Sequence, residues 1–460
     1  MRYVLRHRNG RDAARRAGGA LFVIGIAILA LNLRAAITSL PPIFPELASR
    51  LRLSTAAVTV LATIPVLCFG LFSGVAAPLS RRFGEERVLL ASLSLVAVGL
   101  VLRGALPGVL LYPGTVLASG AIALMNVLLP SMIKRRQPSR AGLLIGIYLL
   151  SLAVGAVFGS LLAVPAFRDT AHAAWLGGPV RFSLWLWAVP AAIAVVAWLP
   201  QWRYRPAAMA RAGDLPVAVR PDTRPVPGRP DTRPVPGRPH TRPVPGRPDT
   251  RPVPGRLQVA RHALAWQVTA FMGLQSLSYY ATLSWLPTLL RDRGASAAHA
   301  GDLLALMNLG NVVTCMLIPV LAHRMTAQRL LVVPTVIATA AGIAGALYGP
   351  LGSVWAWILL LGLSQGSSLG LAIFFTMARA PDPVAAASMS ALAQGGGYLL
   401  STAGPLAVGL LHAETGGWGV PVDLLLVMCA AELAAGWLAG RARVLPSRDD
   451  ALAASAETDL

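Results

Sequence analysis

Apolar stretches of about 20 residues recur along this chain, and each is long enough to cross the hydrocarbon of a bilayer. That recurrence confines the fold: the segments read as spanning helices and the chain as a polytopic membrane protein. Only 13% of its 460 residues are charged and 55% are hydrophobic, whereas a soluble domain carries about 25% charged residues. The net charge of +21 would point to nucleic acid in a soluble protein, and topology supplies a different reason for it here.

Twelve spans are expected, near 18–40, 56–79, 88–106, 108–133, 141–164, 182–200, 263–289, 300–321, 330–349, 353–378, 385–411 and 421–440. The first follows a basic tail and could imitate a signal peptide, but it lacks a convincing small-residue cleavage site and eleven spans follow it. With the N-terminus placed in the cytoplasm, the inner segments hold 32 Lys and Arg and the outer ones seven, with Arg34 inside a span. Without the long central segment, the split is still 19 to seven. This positive-inside bias puts both termini in the cytoplasm of a multi-pass plasma membrane protein. Nucleic-acid binding then becomes an unnecessary idea.

Five regions follow: a cytoplasmic tail at 1–17, a six-helix bundle at 18–201, a cytoplasmic linker at 202–261, a second six-helix bundle at 262–441 and a cytoplasmic tail at 442–460. The linker repeats RPDTRPVPG at 220–228, 229–237 and 247–255, with RPHTRPVPG at 238–246. Proline at that density forbids helix and strand ladders, so a disordered or polyproline-II tether is expected. A basic tether near anionic headgroups is a second reading of it.

The halves echo one another. YLLSLAVG at Tyr148 returns as YLLSTAGP at Tyr398, and Leu40-Pro41 returns as Leu286-Pro287. Six helices, a linker and six more is the layout of a transporter built from parallel repeats. The chain resembles the major facilitator superfamily, and within it the branch of cyanate permeases and the 2-nitroimidazole transporter. The stretches LNLRAAITSLPPIFPEL (31–47), IPVLCFGLFSGVAAPLSRRFGEERVLL (64–90), FMGLQSLSYYATLSWLPTLLRDRGASAAHAG (271–301) and MSALAQGGGYLLSTAGPLAVGLLHAETGGW (389–418) carry the resemblance. It implies an all-α fold of twelve transmembrane helices in two six-helix pseudo-repeats. It also implies a central cavity lined by the first helix and a gating loop between the second and third.

That loop departs from the pattern, because Arg81 stands where the superfamily has an aspartate, followed by Arg82, Gly84 and Arg87. These four are the candidate gating residues: Arg87 could cap helix ends or pair with Glu85 or Glu86 during alternation, or the arginines could only set topology. Gly146, Gly155 and Gly159 keep most of a glycine pattern in the fifth helix, with Ser160 in place of its proline. They read as packing and rocking surfaces.

Charge within a span costs several kcal/mol or finds a partner. Two candidates lie deep, Arg34 and Glu432. The resemblance puts Glu432 in a peripheral helix, where it reads as a neutral or snorkelling packer, with proton coupling as the second reading. Arg34 faces either the cavity or the outer headgroups. Thr38, four residues on, shares its face, while Asn32, some 200° around, does not. Polar stripes mark other candidate substrate contacts: Tyr148 in helix five, Gln275 and Tyr279 in seven, Asn308 and Asn311 in eight, Gln365 in ten, Gln394 and Tyr398 in eleven. The offset of 246 residues between Leu40 and Leu286 maps Arg34 to Tyr280. The cavity should therefore hold one fixed cation among neutral donors and acceptors.

Alternating-access transport of a small anionic or polar solute, cyanate-like or nitroimidazole-like, is the expected function. A proton-coupled efflux transporter of the same superfamily is the alternative, and a non-transporting sensor is more remote. No catalytic residue, metal site or cofactor is expected, since His-Glu-x-x-His and paired intramembrane carboxylates are lacking and the three cysteines are scattered. The expected partners are the solute, the bilayer and a candidate coupling proton, with the monomer as the working unit.

Overall fold

The structure is a computed structural model that describes residues 22–168, 175, 177–202 and 259–445. The linker repeats and both tails beyond these limits lie outside the described residues.

The described residues are helical, with no strand among them. Twelve passages make up the bundle: α1 (22–38), α2 (Thr55–Ser73), α3 (Glu85–Ala105), α4 (Pro107–Arg136), α5 (Ala141–Arg168), α6 (Pro179–Trp185 and Ala188–Trp202), α7 (Ala263–Asp292), α8 (Ala297–His323), α9 (Arg329–Tyr348), α10 (Val354–Ala378), α11 (Pro383–Ser401 and Ala403–Thr415) and α12 (Gly419–Ala439). Ten of them are long and apolar enough to cross a membrane by length and composition. The other two differ for physical reasons. α11 is interrupted at Thr402. α7 is buried almost all round and carries Gln275, Ser276, Ser278, Tyr279, Tyr280, Thr282 and Ser284 among its buried residues. A helix shielded from lipid by its neighbours has no need of an apolar surface.

Several boundaries differ from the hydropathy reading. The expected span 56–79 ends at Ser73, and a separate amphipathic helix, Ala76–Phe83, carries Arg81 and Arg82 in its last turn. Past α1 the chain turns through Pro41–Ile43 into a short helix, Phe44–Leu51. Prolines stand inside α2, α4, α5, α7, α8 and α9, as membrane helices tolerate when neighbours re-satisfy the freed carbonyls.

The halves meet along α2 on α11 and α5 on α8, with the Pro41–Ile43 turn on α7 and α8. At this turn's end of the bundle they are also tied by side chains. Glu46 and Arg291 form an ion pair at 2.7 Å, and the Phe44 and Trp285 rings lie 6.4 Å apart.

Candidate functional site

Two backbone contacts set the position of α1 and of its counterpart α7. A Cβ on Gly155 of α5 would lie 2.1 Å from Leu31 O, and one on Gly404 of α11 would lie 2.5 Å from Leu277 O. Leu31 and Leu277 are 246 residues apart, so the duplication inferred from the loops reappears as the same close approach in each half. Gly159 is pressed in the same way against Thr38 Oγ1. Gly146, read as part of the same surface, has open space about it.

With α1 held against α5, Arg34 faces a cavity between the halves. It is shared with Leu149, Leu152, Ala153 and Ala156 of α5, Tyr279 of α7, and Asn308, Asn311, Val312, Cys315 and Met316 of α8, with Leu369 of α10. The space is about 470 Å³, counting what opens to solvent. The Arg34 guanidinium stands over the Tyr279 ring, 5.7 Å from its centroid, within cation–π range. Tyr279 Oη donates to Asn308 Oδ1 at 3.0 Å, and Asn308 Nδ2 donates to Leu304 O at 2.9 Å. Arg34 Nη1 is buried and has no hydrogen-bond partner. A buried guanidinium N–H without an acceptor, on a residue that lines a cavity, is a donor held ready for one.

Around this centre lies a tyrosine cluster. Tyr279 and Tyr280 meet edge to face at 5.1 Å, and Tyr280 meets Tyr398 at 6.3 Å and Phe69 at 6.2 Å. Tyr280, the repeat mate of Arg34, is thus aromatic where the first half is cationic. Tyr148 Oη donates to Asn126 Oδ1 of α4 at 3.3 Å. Asn126 was not among the residues singled out from sequence; a lone carboxamide in an apolar helix was the signal available.

Other expected contacts sit elsewhere. Thr38 is fully buried and donates to Arg34 O and Ala156 O, both at 3.1 Å. It joins α1 to α5 and lines no part of the cavity. Gln275 bonds Met272 O and Ser276 Oγ on its own helix. Gln365 Nε2 donates to Thr282 Oγ1 at 2.9 Å, between α7 and α10. Gln394 Nε2 donates to Ser390 Oγ one turn back. Asn32 donates to Pro190 O of α6 at 3.1 Å, on the side its 200° offset from Arg34 requires.

The loop after α2 carries the candidate gating residues. Arg81, Arg82 and Arg87 are exposed, and Arg87 pairs with neither glutamate. Glu85 pairs with Arg135 at 2.6 Å and Glu86 with Arg136 at 3.6 Å, joining α3 to α4. Gly84 has φ 87°, a conformation that any side chain would strain, and it ends one helix and starts the next. Two further arginines are buried against their expected places at membrane surfaces. Arg103, 2% exposed, donates to Ala36 O, where α1 runs out of helical donors. Arg379, 4% exposed, bonds Gln328 and Ala439 O. Among the described residues no group of three or more His, Cys, Asp or Glu could hold a metal.

The sequence profile of the Major Facilitator Superfamily matches residues 22–405. The chain belongs to this superfamily. It is 34% identical over 421 residues to the 2-nitroimidazole transporter of Escherichia coli (strain K12), covering 92% of this chain and 95% of that one. It is 25% identical over 394 residues to the cyanate transport protein CynX of the same organism, covering 85% and 90%. A bacterial homologue of the human lysosomal transporter Spinster, solved inward-facing and unoccupied, has the same fold at TM-score 0.67 and 15% identity, covering 92% of this chain and 98% of its own. A D-xylose–proton symporter matches at TM-score 0.63 and 14% identity, over 93% and 99%. The chain is a multi-pass membrane transporter of this superfamily.

Proposed function

We propose that this transporter carries a small, flat, polar or anionic solute of the nitroimidazole type across the cytoplasmic membrane by alternating access, with Arg34 as its principal contact. The observation that carries the proposal is the unpartnered Nη1 of Arg34, in a guanidinium stacked on Tyr279 at the edge of a cavity between the halves. One cation with carboxamides beside it suits a nitro group or a monoanion. The remaining wall of Leu149, Leu152, Val312, Met316 and Leu369 favours a planar heterocycle over a linear inorganic ion such as cyanate, because it offers apolar area to a ring face. The 34% identical relative is named for 2-nitroimidazole and the 25% identical one for cyanate, which supports the same order.

The cavity lining carries no carboxylate, which disfavours a cation exporter. Asn308 and Asn311 serve as further polar contacts, with Tyr279 as the aromatic wall and Tyr280 and Tyr398 packed behind it. Both termini lie in the cytoplasm, as the distribution of Lys and Arg supports. The test is exchange of labelled 2-nitroimidazole and of cyanate by purified protein in proteoliposomes. Wild type exchanges 2-nitroimidazole, and Arg34→Gln inserts and folds but does not. Full exchange by Arg34→Gln would sink the assignment.

A further inference from the structure

The second half holds a buried acid that the cavity does not use. Glu432 of α12 is 1% exposed, which rules out a carboxylate snorkelling to the headgroups. One oxygen, Oε1, accepts from Ser368 Oγ of α10 at 2.8 Å. The other, Oε2, is buried with no partner. Gln365 Oε1 of α10 is likewise buried without a partner, and Ser278 Oγ of α7 meets the Cys429 thiol of α12. Two orphaned acceptor oxygens, Glu432 Oε2 and Gln365 Oε1, therefore belong to one seam between α7, α10 and α12, whose members are Ser278, Thr282, Gln365, Ser368, Cys429 and Glu432.

Among the described residues no cation balances this carboxyl. α10 contains no titratable side chain, and those of α9 and of the second segment of α11 (Arg329, Tyr348, His412 and Glu414) stand at or near helix ends. On α7, Tyr279 lies beneath Arg34 and Tyr280 meets Tyr398 edge to face, while Arg291 and Asp292 end the helix. On α12 itself, Asp423 lies in the first turns and Cys429 one turn from Glu432. A lone ionised carboxylate in such a place costs several kcal/mol. A carboxylic acid does not, and its O–H would give Oε2 the donor role the site otherwise leaves empty.

We propose that Glu432 is a proton-carrying site that couples transport to the pH gradient, separate from the substrate cavity. The link between the two runs through α7. Adjacent residues of a helix point about 100° apart, so Tyr279 faces Arg34 while Ser278 faces α12. Gln365, bonded to Thr282 one turn along, ties α10 to the same helix. When the acid loses its proton, the charge must find water or a donor. The seam between α7, α10 and α12 has to open to supply one, and α7 carries that movement to the cavity. The coupling role rests on the proposed transport function; the protonation itself does not.

Two measurements separate those parts. The first is infrared titration of the full-length protein in lipid. Wild type shows the carbonyl stretch of a protonated carboxylic acid at neutral pH, and Glu432→Gln lacks that band; a band unchanged in the variant overturns the proposal. The second uses proteoliposomes with 2-nitroimidazole as probe. A step of one pH unit sustains about tenfold accumulation when one proton moves with each solute. Glu432→Gln abolishes this accumulation but keeps exchange at equal pH. Accumulation undiminished in Glu432→Gln, or driven by a sodium gradient and indifferent to pH, overturns the coupling role. Failure of wild type to exchange the probe would count against the substrate assignment and leave the infrared result standing.

Discussion

Arg34 is defined by what surrounds it more than by its own charge. Its helix is seated by the absence of a Cβ at Gly155, 2.1 Å from where Leu31 O would meet one, and its guanidinium is levelled by the Tyr279 ring. Lysine would keep the charge and lose the planar fork and the stacking face. Arg34→Lys should therefore raise the half-saturating concentration of 2-nitroimidazole by about tenfold, the loss of roughly 1.4 kcal/mol, measured as exchange in proteoliposomes. Gly155→Val forces α1 away from α5, and overpacking of this kind costs about 1–3 kcal/mol. Its melting temperature in detergent should fall, and exchange should fall more steeply than stability because Arg34 moves with the backbone. Leu31 and Gly155 were legible as an apolar residue and a small one; that they touch was not, because neither says which helix it will face.

Pairs of helices are joined twice in the same way. In the first half Glu86 of α3 holds Arg136 of α4. In the second, Gln328 at the start of α9 holds Arg379 at the end of α10. The offsets are 242 and 243 residues, so one repeat fastens the pair with an ion pair and the other with a carboxamide. Arg379 reaches further, to Ala439 O at the end of α12, and lies over Phe375 at 5.3 Å. Arg379→Ala leaves Gln328 Oε1 and Ala439 O without a donor, at about 1–3 kcal/mol for each buried group. A clear drop in thermal stability is expected, with little change in substrate affinity, since Arg379 is remote from the cavity lining. Arg87→Ala, on an exposed and unpaired side chain, makes a suitable control. Hydropathy assigned Arg379 to a loop by its position after an apolar run. Its burial depends on α9 and α12 closing over it, and a window of sequence contains neither.

At the scale of the molecule, the described side-chain ties between the halves include a latch at one end. Glu46 and Arg291 pair at 2.7 Å, beside a row of rings formed by Phe44, Trp285, Trp418 and His412. Trp418 Nε1 donates to Asp292 Oδ2 at 2.8 Å, which draws α12 into the same end. An ion pair of partly exposed groups is worth about 1 kcal/mol or less. That is small against a folding free energy, yet enough to shift an equilibrium between two conformations several-fold. Glu46→Gln should raise the share of molecules open at this end. In a background lacking the three cysteines, Ala300→Cys, 0% exposed in the first turn of α8 at the same end, should react faster with an impermeant maleimide once Glu46 is neutralised. Pairing Glu46→Arg with Arg291→Glu should restore the slow rate. Labelling from outside intact cells tests the proposed orientation as well, because the positive-inside bias assigns the latch to the outer face.

The membrane-spanning class, the helical fold, the two-fold duplication and the exceptional standing of Arg34 were all determined by sequence alone, because in hydrocarbon each follows from a local cost: unpaired backbone groups and uncompensated charges are too expensive to leave unexplained. Which of the candidate residues come together was decided only in three dimensions. Thr38 and Gln275 are polar residues of the same kind as Asn308 and Tyr279, yet the first two spend their hydrogen bonds within or between neighbouring helices and the latter two bond each other beside the guanidinium. Glu432 is the clearest case. The resemblance left it either a neutral or a snorkelling packer or a proton-coupling acid, and only the burial between α7, α10 and α12, with one oxygen left unbonded, removes snorkelling. A polar side chain in a membrane helix must find a partner, and which partner it finds is decided by how the helices pack, which no local window of sequence contains.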